Sequence, residues 1–326
     1  MKILIPQETH PDSFTDNVEV TLWDMGHTVR SLGTVAPKRF GSLRTLIRSA
    51  GEAMIGYRAS WRDRLAVKVA REFRPDVVLG LTASLHSETL ELLGQICQGR
   101  RFLWWGDSPA NSHRWGMVDP GWDRVFVKDR AAVSKLRLIG RDAVYLPEAM
   151  NPRWHRPLMG QSGEHIAVVG SFYAFRQALC LRLINASVPV RLYGLPLPMW
   201  GHPELKRRFP GNYVVLREEK SKVFGAALGC LNSFSLAEGN SLNCRTFEIA
   251  GAAGFQLIER RPALEECFEP GKEVVAFESF EELLSAIERA NRDRGWTTAI
   301  RLAGAKRALA EHTYKHRLTT ILEGLS

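Results

Sequence analysis

The chain reads as an α/β protein built from two successive Rossmann-like domains facing a central cleft, and three observations carry that reading. Short β-branched or apolar runs alternate with helical patterns along most of the 326 residues, the signature of β-α-β units around a parallel sheet. The length exceeds one ordinary core and suits two, since single domains most often run ~100–150 residues. After Leu146 the alternation stops in PEAMNPRWHRPLMGQSGE, a segment with three prolines, two glycines and no sustained period, and then restarts, as expected of a linker. The expected domains are therefore 1–150 and 151–326, with the last helix a candidate to pack back on the first domain. Ligands of open α/β sheets sit at the carboxyl ends of strands, which makes the cleft between the halves the expected site.

In the first half the pattern predicts strands near Ile3 to Pro6, Thr28 to Leu32, Asp76 to Leu81, Phe102 to Trp105, Arg124 to Val127 and Ala143 to Leu146. Helices are expected between them, including Ser60 to Phe73, Ser87 to Gln98 and Arg130 to Ile139. In the second half strands are expected near Ile166 to Val169, Val190 to Tyr193, Tyr213 to Leu216, Cys230 to Ser233, Gln256 to Glu259 and Glu273 to Ala276. The helices there should cover about Phe175 to Asn185, Glu218 to Leu228, Cys244 to Ala253, Phe280 to Asn291 and Thr297 to Glu311.

Apolar residues make up 45% of the chain and charged residues 24%, the proportions of a folded globular protein rather than a disordered or membrane one. The opening MKILIPQETH has no long apolar core, and no later run approaches the ~20 residues that span a bilayer, so a cytoplasmic protein is expected. Five widely spaced cysteines, with no Cys-x-x-Cys pair, read as reduced and mostly buried. Lysine and arginine number 44 against 35 acidic residues, a formal +9 that favours anionic partners. Ten of these bases, Lys38, Arg39, Arg44, Arg48, Arg58, Arg62, Arg64, Lys68, Arg71 and Arg74, fall in one stretch. It reads as a solvated helix face or as a surface for an acidic acceptor, an anionic lipid at the inner membrane face, or nucleic acid.

Two segments carry chemistry. HIAVVGSFYAFRQALCLRL is a strand, a turn at Gly170 and Ser171, and a helix with Arg176 near its start. Free N–H groups and the positive dipole end of such a helix suit a diphosphate, and Arg176 adds a charge-assisted contact. The turn lacks the second and third glycines of the dinucleotide fingerprint, which disfavours a nicotinamide dehydrogenase. In AEGNSLNCRTFEIAGAAGFQLIERRPALEECF, the polar Glu238, Gly239, Asn240, Ser241 and Asn243 precede a helix bearing Arg245 and Glu248. A carboxylate suits a ribose diol, although Glu248 alone reads equally as a helix-surface acid.

Through VVGSFYAFR, VRLYG with its tryptophan loop, SLNCRTFEIAGAAGFQL and HTYKHR, the chain from about Ala143 onward resembles the CgeB-like (spore maturation protein) glycosyltransferases, of the glycosyltransferase group 1 type. LWDMGHTVRSLG, FRPDVVLGL, WWGDSP and DRVFVKD extend the resemblance into the first half. What it implies is a GT-B fold, with a nucleotide diphosphate-sugar donor held chiefly by the second domain and the acceptor by the first. Gly170 and Arg176 would face the diphosphate, Asn243 and Arg245 the phosphate or sugar, and Glu248 the ribose. Arg176 and Glu248 are thereby expected to be ligand contacts whose loss spares the fold. Related enzymes often carry two glutamates separated by seven residues; here Asn240 holds the first place, and Glu238 is close but out of register.

In the first domain Asp107 matches the DSP position, in a loop after an apolar strand that also holds Ser108 and His113. Asp107, His86 and His113 are the candidates to orient or deprotonate an acceptor hydroxyl, while a turn cap is the alternative reading of Asp107 and Ser108. With no Asp-x-Asp pair or clustered Cys/His set, metal-independent departure of the nucleotide is expected, stabilised by helix N-termini and by Arg176 or Arg245. No cofactor beyond the donor is implied. The acceptor, whether anionic glycan, lipid, protein or nucleic acid, is left open. A nucleotide-sugar 2-epimerase and a non-catalytic anion- or nucleic-acid-binding protein are the rival readings.

Overall fold

The computed structural model describes residues 1–34, 60–112, 115–158 and 163–323. It divides into two compact units, Met1–Pro147 with Tyr314–Ser326, and Glu148–Thr313.

Strands β1 (Lys2–Leu4), β2 (Thr28–Arg30), β3 (Val77–Leu81), β4 (Arg101–Trp105), β5 (Arg124–Val127) and β6 (Ala143–Tyr145) form the sheet of the first unit. Every pairing is parallel, in the order β2-β1-β3-β4-β5-β6. Helices α1 (Phe14–Asp24), α2 (Trp61–Phe73), α3 (Ser87–Ile96) and α4 (Arg130–Leu138) alternate with the strands. A parallel sheet covered on both faces needs strands that are apolar on both faces, and VVLGL of β3 is buried at all five positions. Trp104, Trp105 and Trp122 are fully buried with them, whereas Trp115 is exposed, so the clustered tryptophans of this half serve chiefly as core. Local sequence sets the helix starts: Ser13 and Asp129 cap α1 and α4, and Ser60 with Asp63 forms a reciprocal capping box on α2.

Helix α1 buries Val18, Val20 and Leu22 together with a row of polar side chains. It buries Thr15, Asp16, Asn17 and Glu19, and the Glu19 carboxylate accepts hydrogen bonds from Thr9 Oγ1 at 2.8 Å and Ser31 Oγ at 3.1 Å. A buried carboxylate is tolerable only when hydrogen-bonded in this way. The last helix, α12 (Tyr314–Glu323), belongs to this unit. Tyr314 stacks against Trp104 and Phe14 at centroid distances of 5.9 and 6.1 Å, and Arg317 Nε donates to Pro147 O at 3.1 Å.

The second unit repeats the plan with β7 (Ile166–Val169), β8 (Val190–Tyr193), β9 (Gly229–Asn232), β10 (Gln256–Glu259) and β11 (Val275–Phe277). The sheet is again parallel, ordered β11-β10-β9-β7-β8. Helices α5 (Ala174–Asn185), α6 (Pro203–Arg208), α7 (Glu218–Ala226), α8 (Cys244–Gly251), α9 (Leu264–Cys267), α10 (Phe280–Arg292) and α11 (Arg294–Glu311) surround it. Tyr213 to Leu216, expected as a strand, is not one. Tyr213 exchanges both backbone hydrogen bonds with Gly194, at 3.1 and 3.0 Å, but the pairing stops at that residue, so a β-prone run without a ladder remains a loop. Cys97, Cys180, Cys230 and Cys267 are buried free thiols, with Cys244 half-buried. Among the described residues no helix is long and apolar enough to cross a membrane.

The packing of β3 yields a test. A Cβ on Gly80 would lie 2.6 Å from Trp122 Cη2 and 3.2 Å from Ala83 Cβ, inside a core with no room to give. Overpacking of this kind costs ~1–3 kcal/mol, so Gly80→Ala should lower the midpoint of thermal unfolding by several degrees and perturb tryptophan fluorescence in the native state.

Candidate active site

The carboxyl ends of β7, β8, β9 and β10 gather most of the residues singled out in the second half. The chain leaves β7 at Gly170 with φ +122°, a conformation L side chains rarely adopt, and a side chain there would strike Arg245 Nη1. The backbone is thus bare where Arg245 arrives, and Arg245 Nη1 donates to Val169 O. Ser171 is exposed in the turn. The following α5 begins at Tyr173 with no side-chain cap, so its first N–H groups stay open to an anion.

Arg176 is not available as a free ligand arginine. It is 3% exposed, its Nε donates to Ser233 Oγ at 3.0 Å, its Nη1 to Ser171 O at 2.7 Å, and its Nη2 to Ser233 O. The guanidinium also lies over the Tyr173 ring, 4.4 Å from its centroid. It ties the start of α5 to the end of β9 and adds positive potential behind the turn.

Asn243 is likewise committed. Its Oδ1 accepts the Thr246 N–H at 3.1 Å as the cap of α8, and it exchanges side-chain hydrogen bonds with the fully buried Asn232. The N-terminus of α8 is closed by its own sequence, whereas that of α5 is open. In the loop between β9 and α8, the half-buried Glu238 accepts from Ser241 Oγ at 2.6 Å, and Asn240 is exposed.

Glu248 is 3% exposed and sits in a cluster that the sequence did not foretell. Lys220 Nζ of α7 donates to its Oε1 at 2.7 Å, His155 Nε2 lies 3.8 Å from the same oxygen, and Arg245 Nε lies 3.8 Å from Oε2. Burial pushes the Glu248 carboxyl up, but the Lys220 ammonium and the other cations outweigh it and hold the group down at about 2. His155 is pushed down to about 3 by burial, reinforced by Lys220 and Arg245 and opposed by Glu248, so the imidazole is neutral at neutral pH. Oε2 of Glu248 and Nε of Arg245 have no hydrogen-bond partner among the described residues. The expectation that Arg176 and Glu248 lie outside the core is corrected here: both side chains are buried. Lys220 escaped notice because REEKSK reads as a solvated helix start, and His155 because it falls in the segment read as a linker.

In the first unit Asp107 is exposed after β4, where Oδ1 accepts Ser108 N–H at 2.7 Å and Oδ2 accepts Asn111 Nδ2 at 2.9 Å. It therefore braces the turn at Pro109–Asn111 while standing at a carboxyl strand end. His86 is buried at the start of α3, its backbone N–H donating to Asp63 Oδ1 at 2.9 Å. His113 lies outside the described residues, as do Lys38, Arg39, Arg44, Arg48 and Arg58. Of the remaining bases of that stretch, Arg62 pairs with Glu8 at 2.7 Å, and Arg64, Lys68 and Arg71 line a 480 Å³ groove shared with Asp63, Glu72 and Glu88. Acids offset the bases there. His312 and His316 have a His-x-x-x-His spacing but belong to different elements: His312 caps α11 and approaches Cys267 O at 2.7 Å, and His316 is on α12.

Residues 176–323 match the family described as glycosyl transferase-like, a match that falls mainly on the second unit. No curated protein matches the chain. Among solved structures, sucrose-phosphate synthase from Thermosynechococcus elongatus is similar with a TM-score of 0.67 and 14% identity, over 99% of this chain and 98% of that one. Anabaena HepE in complex with UDP and glucose gives 0.64 and 12% over 100% of both chains. AviGT4, a glycosyltransferase involved in avilamycin A biosynthesis, gives 0.59 and 15% over 99% and 96%. The fold is GT-B, and residues 176–323 make up a glycosyl transferase-like domain.

The buried cluster makes two predictions. Lys220→Met should destabilise the protein by about 3–5 kcal/mol by stranding a buried carboxylate, and Glu248→Gln in the same chain should restore much of that, as read by denaturant melts. The second concerns acid. Above its unfolded value the depressed Glu248 stabilises the fold, and that contribution is lost as pH falls from about 4.5 through about 2. His155 binds its proton in the unfolded chain from pH ~6.5 but in the folded chain only near 3, so stability also declines between those values. Stability should thus begin to fall below pH ~6.5, and His155→Leu should flatten the slope between ~6.5 and ~4.5.

Proposed function

We propose that the protein moves a sugar from a nucleotide diphosphate donor to an acceptor hydroxyl, with the diphosphate held at the carboxyl end of β7. The observation that carries this reading is the convergence at Gly170: bare backbone, an uncapped helix N-terminus and Arg245 arrive together where a side chain cannot fit. Solved complexes of HepE with UDP and with UDP-glucose support a nucleotide sugar as the donor class. The unpartnered Oε2 of Glu248 and Nε of Arg245 are the groups a ribose hydroxyl and a phosphate oxygen would satisfy.

In this reading donor cleavage breaks the bond between the anomeric carbon and the diphosphate. The negative charge that develops on the nucleotide diphosphate is met by the α5 N–H groups and by Arg245, which are preorganised for it. Arg176, fixed behind the turn, contributes field and rigidity rather than a direct ligand. The same donors serve departure without a metal, which is the form proposed here. Asp107 is the group proposed to orient or deprotonate the acceptor hydroxyl, because it is exposed at the carboxyl end of β4; the buried His86 is less accessible.

A thermal-shift panel of nucleoside diphosphates and their sugars in EDTA tests the donor claim. A ligand at ~100 times its dissociation constant should stabilise the protein by ~2.7 kcal/mol, and Arg245→Ala should weaken that ligand by roughly 10-fold or more, as the loss of a charged hydrogen bond of ~1.5–3 kcal/mol implies. Stabilisation that appears only with added Mg²⁺ or Mn²⁺ would contradict the metal-free form, and none with any nucleotide would contradict the donor class. Asp107→Asn should lower turnover ~10²-fold or more at near-normal nucleotide affinity.

A further inference from the structure

The loop between β9 and α8 carries Glu238 and Asn240, the residues nearest in register to the first glutamate of the related pattern. It is held from outside by two neighbours at the end of β10. Arg261 Nη1 donates to Glu238 O at 3.2 Å and to Gly239 O. Its guanidinium lies over the Phe234 ring at 3.8 Å, a stacking contact that fixes the loop's first turn. Glu259 Oε1 accepts the Phe234 N–H at 3.1 Å, and its other oxygen lies 3.7 Å from Arg261 Nη2. The Arg261 side chain is only 13% exposed, whereas Gly239 and Asn240 are exposed. Arg260, the residue between, takes no part: it pairs outward with Glu265 at 2.6 Å and Glu278 at 2.8 Å.

We propose that Arg261 and Glu259 are positioning residues that set this loop for the transferred sugar of the donor. The inference rests on the donor reading above. Two carbonyls taken by one guanidinium, a ring under its face and a carboxylate on the next backbone N–H leave the loop little freedom between Phe234 and Asn240. The loop begins at Ser233, which holds Arg176 behind the proposed diphosphate turn, so in that reading its placement matters, because displacement of a positioned group by ~1 Å can cost ~10²-fold in rate. Lysine cannot replace Arg261, since its ammonium lacks the planar guanidinium that lies over the Phe234 ring with Nη1 on both carbonyls and Nη2 turned toward Glu259. Glutamine can replace Glu259, because its amide oxygen still accepts from Phe234.

The experiment compares the full-length parent with Arg261→Lys, Arg261→Ala, Glu259→Gln, Glu259→Leu and Arg260→Ala. The probes are UDP and UDP-glucose, together with UDP-galactose, UDP-N-acetylglucosamine and GDP-mannose with their free diphosphates. Affinities are read by calorimetry, loop order by hydrogen exchange of amides 235–243, and global stability by melting. Both Arg261 variants and Glu259→Leu should speed exchange of the loop. They should also weaken the best nucleotide sugar about tenfold while its free diphosphate binds as in the parent. Glu259→Gln and Arg260→Ala should match the parent in both respects. Equal loss for sugar-bearing and free nucleotide, or a lower melting point with the affinity ratio unchanged, would overturn the proposal and make the pair purely structural. A parent that binds no nucleotide would instead overturn the donor reading, and the positioning role with it. Loop exchange that is unaltered in the Arg261 variants would overturn the clamp while leaving that reading intact.

Discussion

The ion pair between Glu248 and Lys220 is the constraint on which the candidate site depends. A carboxylate buried to this extent is unstable without compensation, and the 2.7 Å contact to Lys220 supplies it. Because the two side chains stand on α8 and α7, the pair fixes the placement of the helix that also bears Arg245. Arg245 in turn reaches Val169 O, at the last residue of β7, where the backbone opens at Gly170. A chain of charge and hydrogen bonds thus runs from an ion pair in the interior to the strand end proposed to meet the diphosphate. Oε1 is spent on Lys220, while Oε2 lies 3.8 Å from Arg245 Nε and has no hydrogen-bond partner among the described residues.

The two arginines of this region divide the work by burial. Arg176 is satisfied by Ser171 and Ser233 and does what a buried, fully bonded guanidinium does well: it fixes backbone geometry and carries a permanent charge. Arg245 is 17% exposed at its side chain and keeps donor capacity free. The polar loop after β9 follows a comparable logic, with its exposed residues carried on a base that Arg261 and Glu259 tie down. Rigid support beneath open polar groups is what preorganised electrostatic binding needs.

Much of this was legible in the sequence, and the rest was hidden for definable reasons. Parallel strands such as VVLGL and IAVV announce themselves because both faces are buried, and eleven of the twelve expected strands stand where the alternation put them. Tyr213 to Leu216 failed because β-propensity reports fit to a pleated surface, not the presence of a neighbour to pair with. Helix α1 was expected only as a helix between the first two strands, without bounds, because its buried positions mix Val18, Val20 and Leu22 with Thr15, Asp16, Asn17 and Glu19. The residues at the strand ends were read as polar and phosphate-suited, but burial was not legible: nothing in FRQALC says that the arginine turns inward. Lys220 and Arg261 are contacts between segments distant in sequence, which no local spacing encodes.

The central claim is that the diphosphate of a nucleotide sugar lies against Gly170, beneath the N-terminus of α5 and within reach of Arg245. A crystal structure of the protein grown with the nucleoside diphosphate that stabilises it most would test this directly. The account predicts phosphate oxygens on the α5 N–H groups and on Arg245, with the ribose hydroxyls on the free oxygen of Glu248. A nucleotide bound elsewhere, with Gly170 untouched and the Glu248 oxygen still unpartnered, would contradict it.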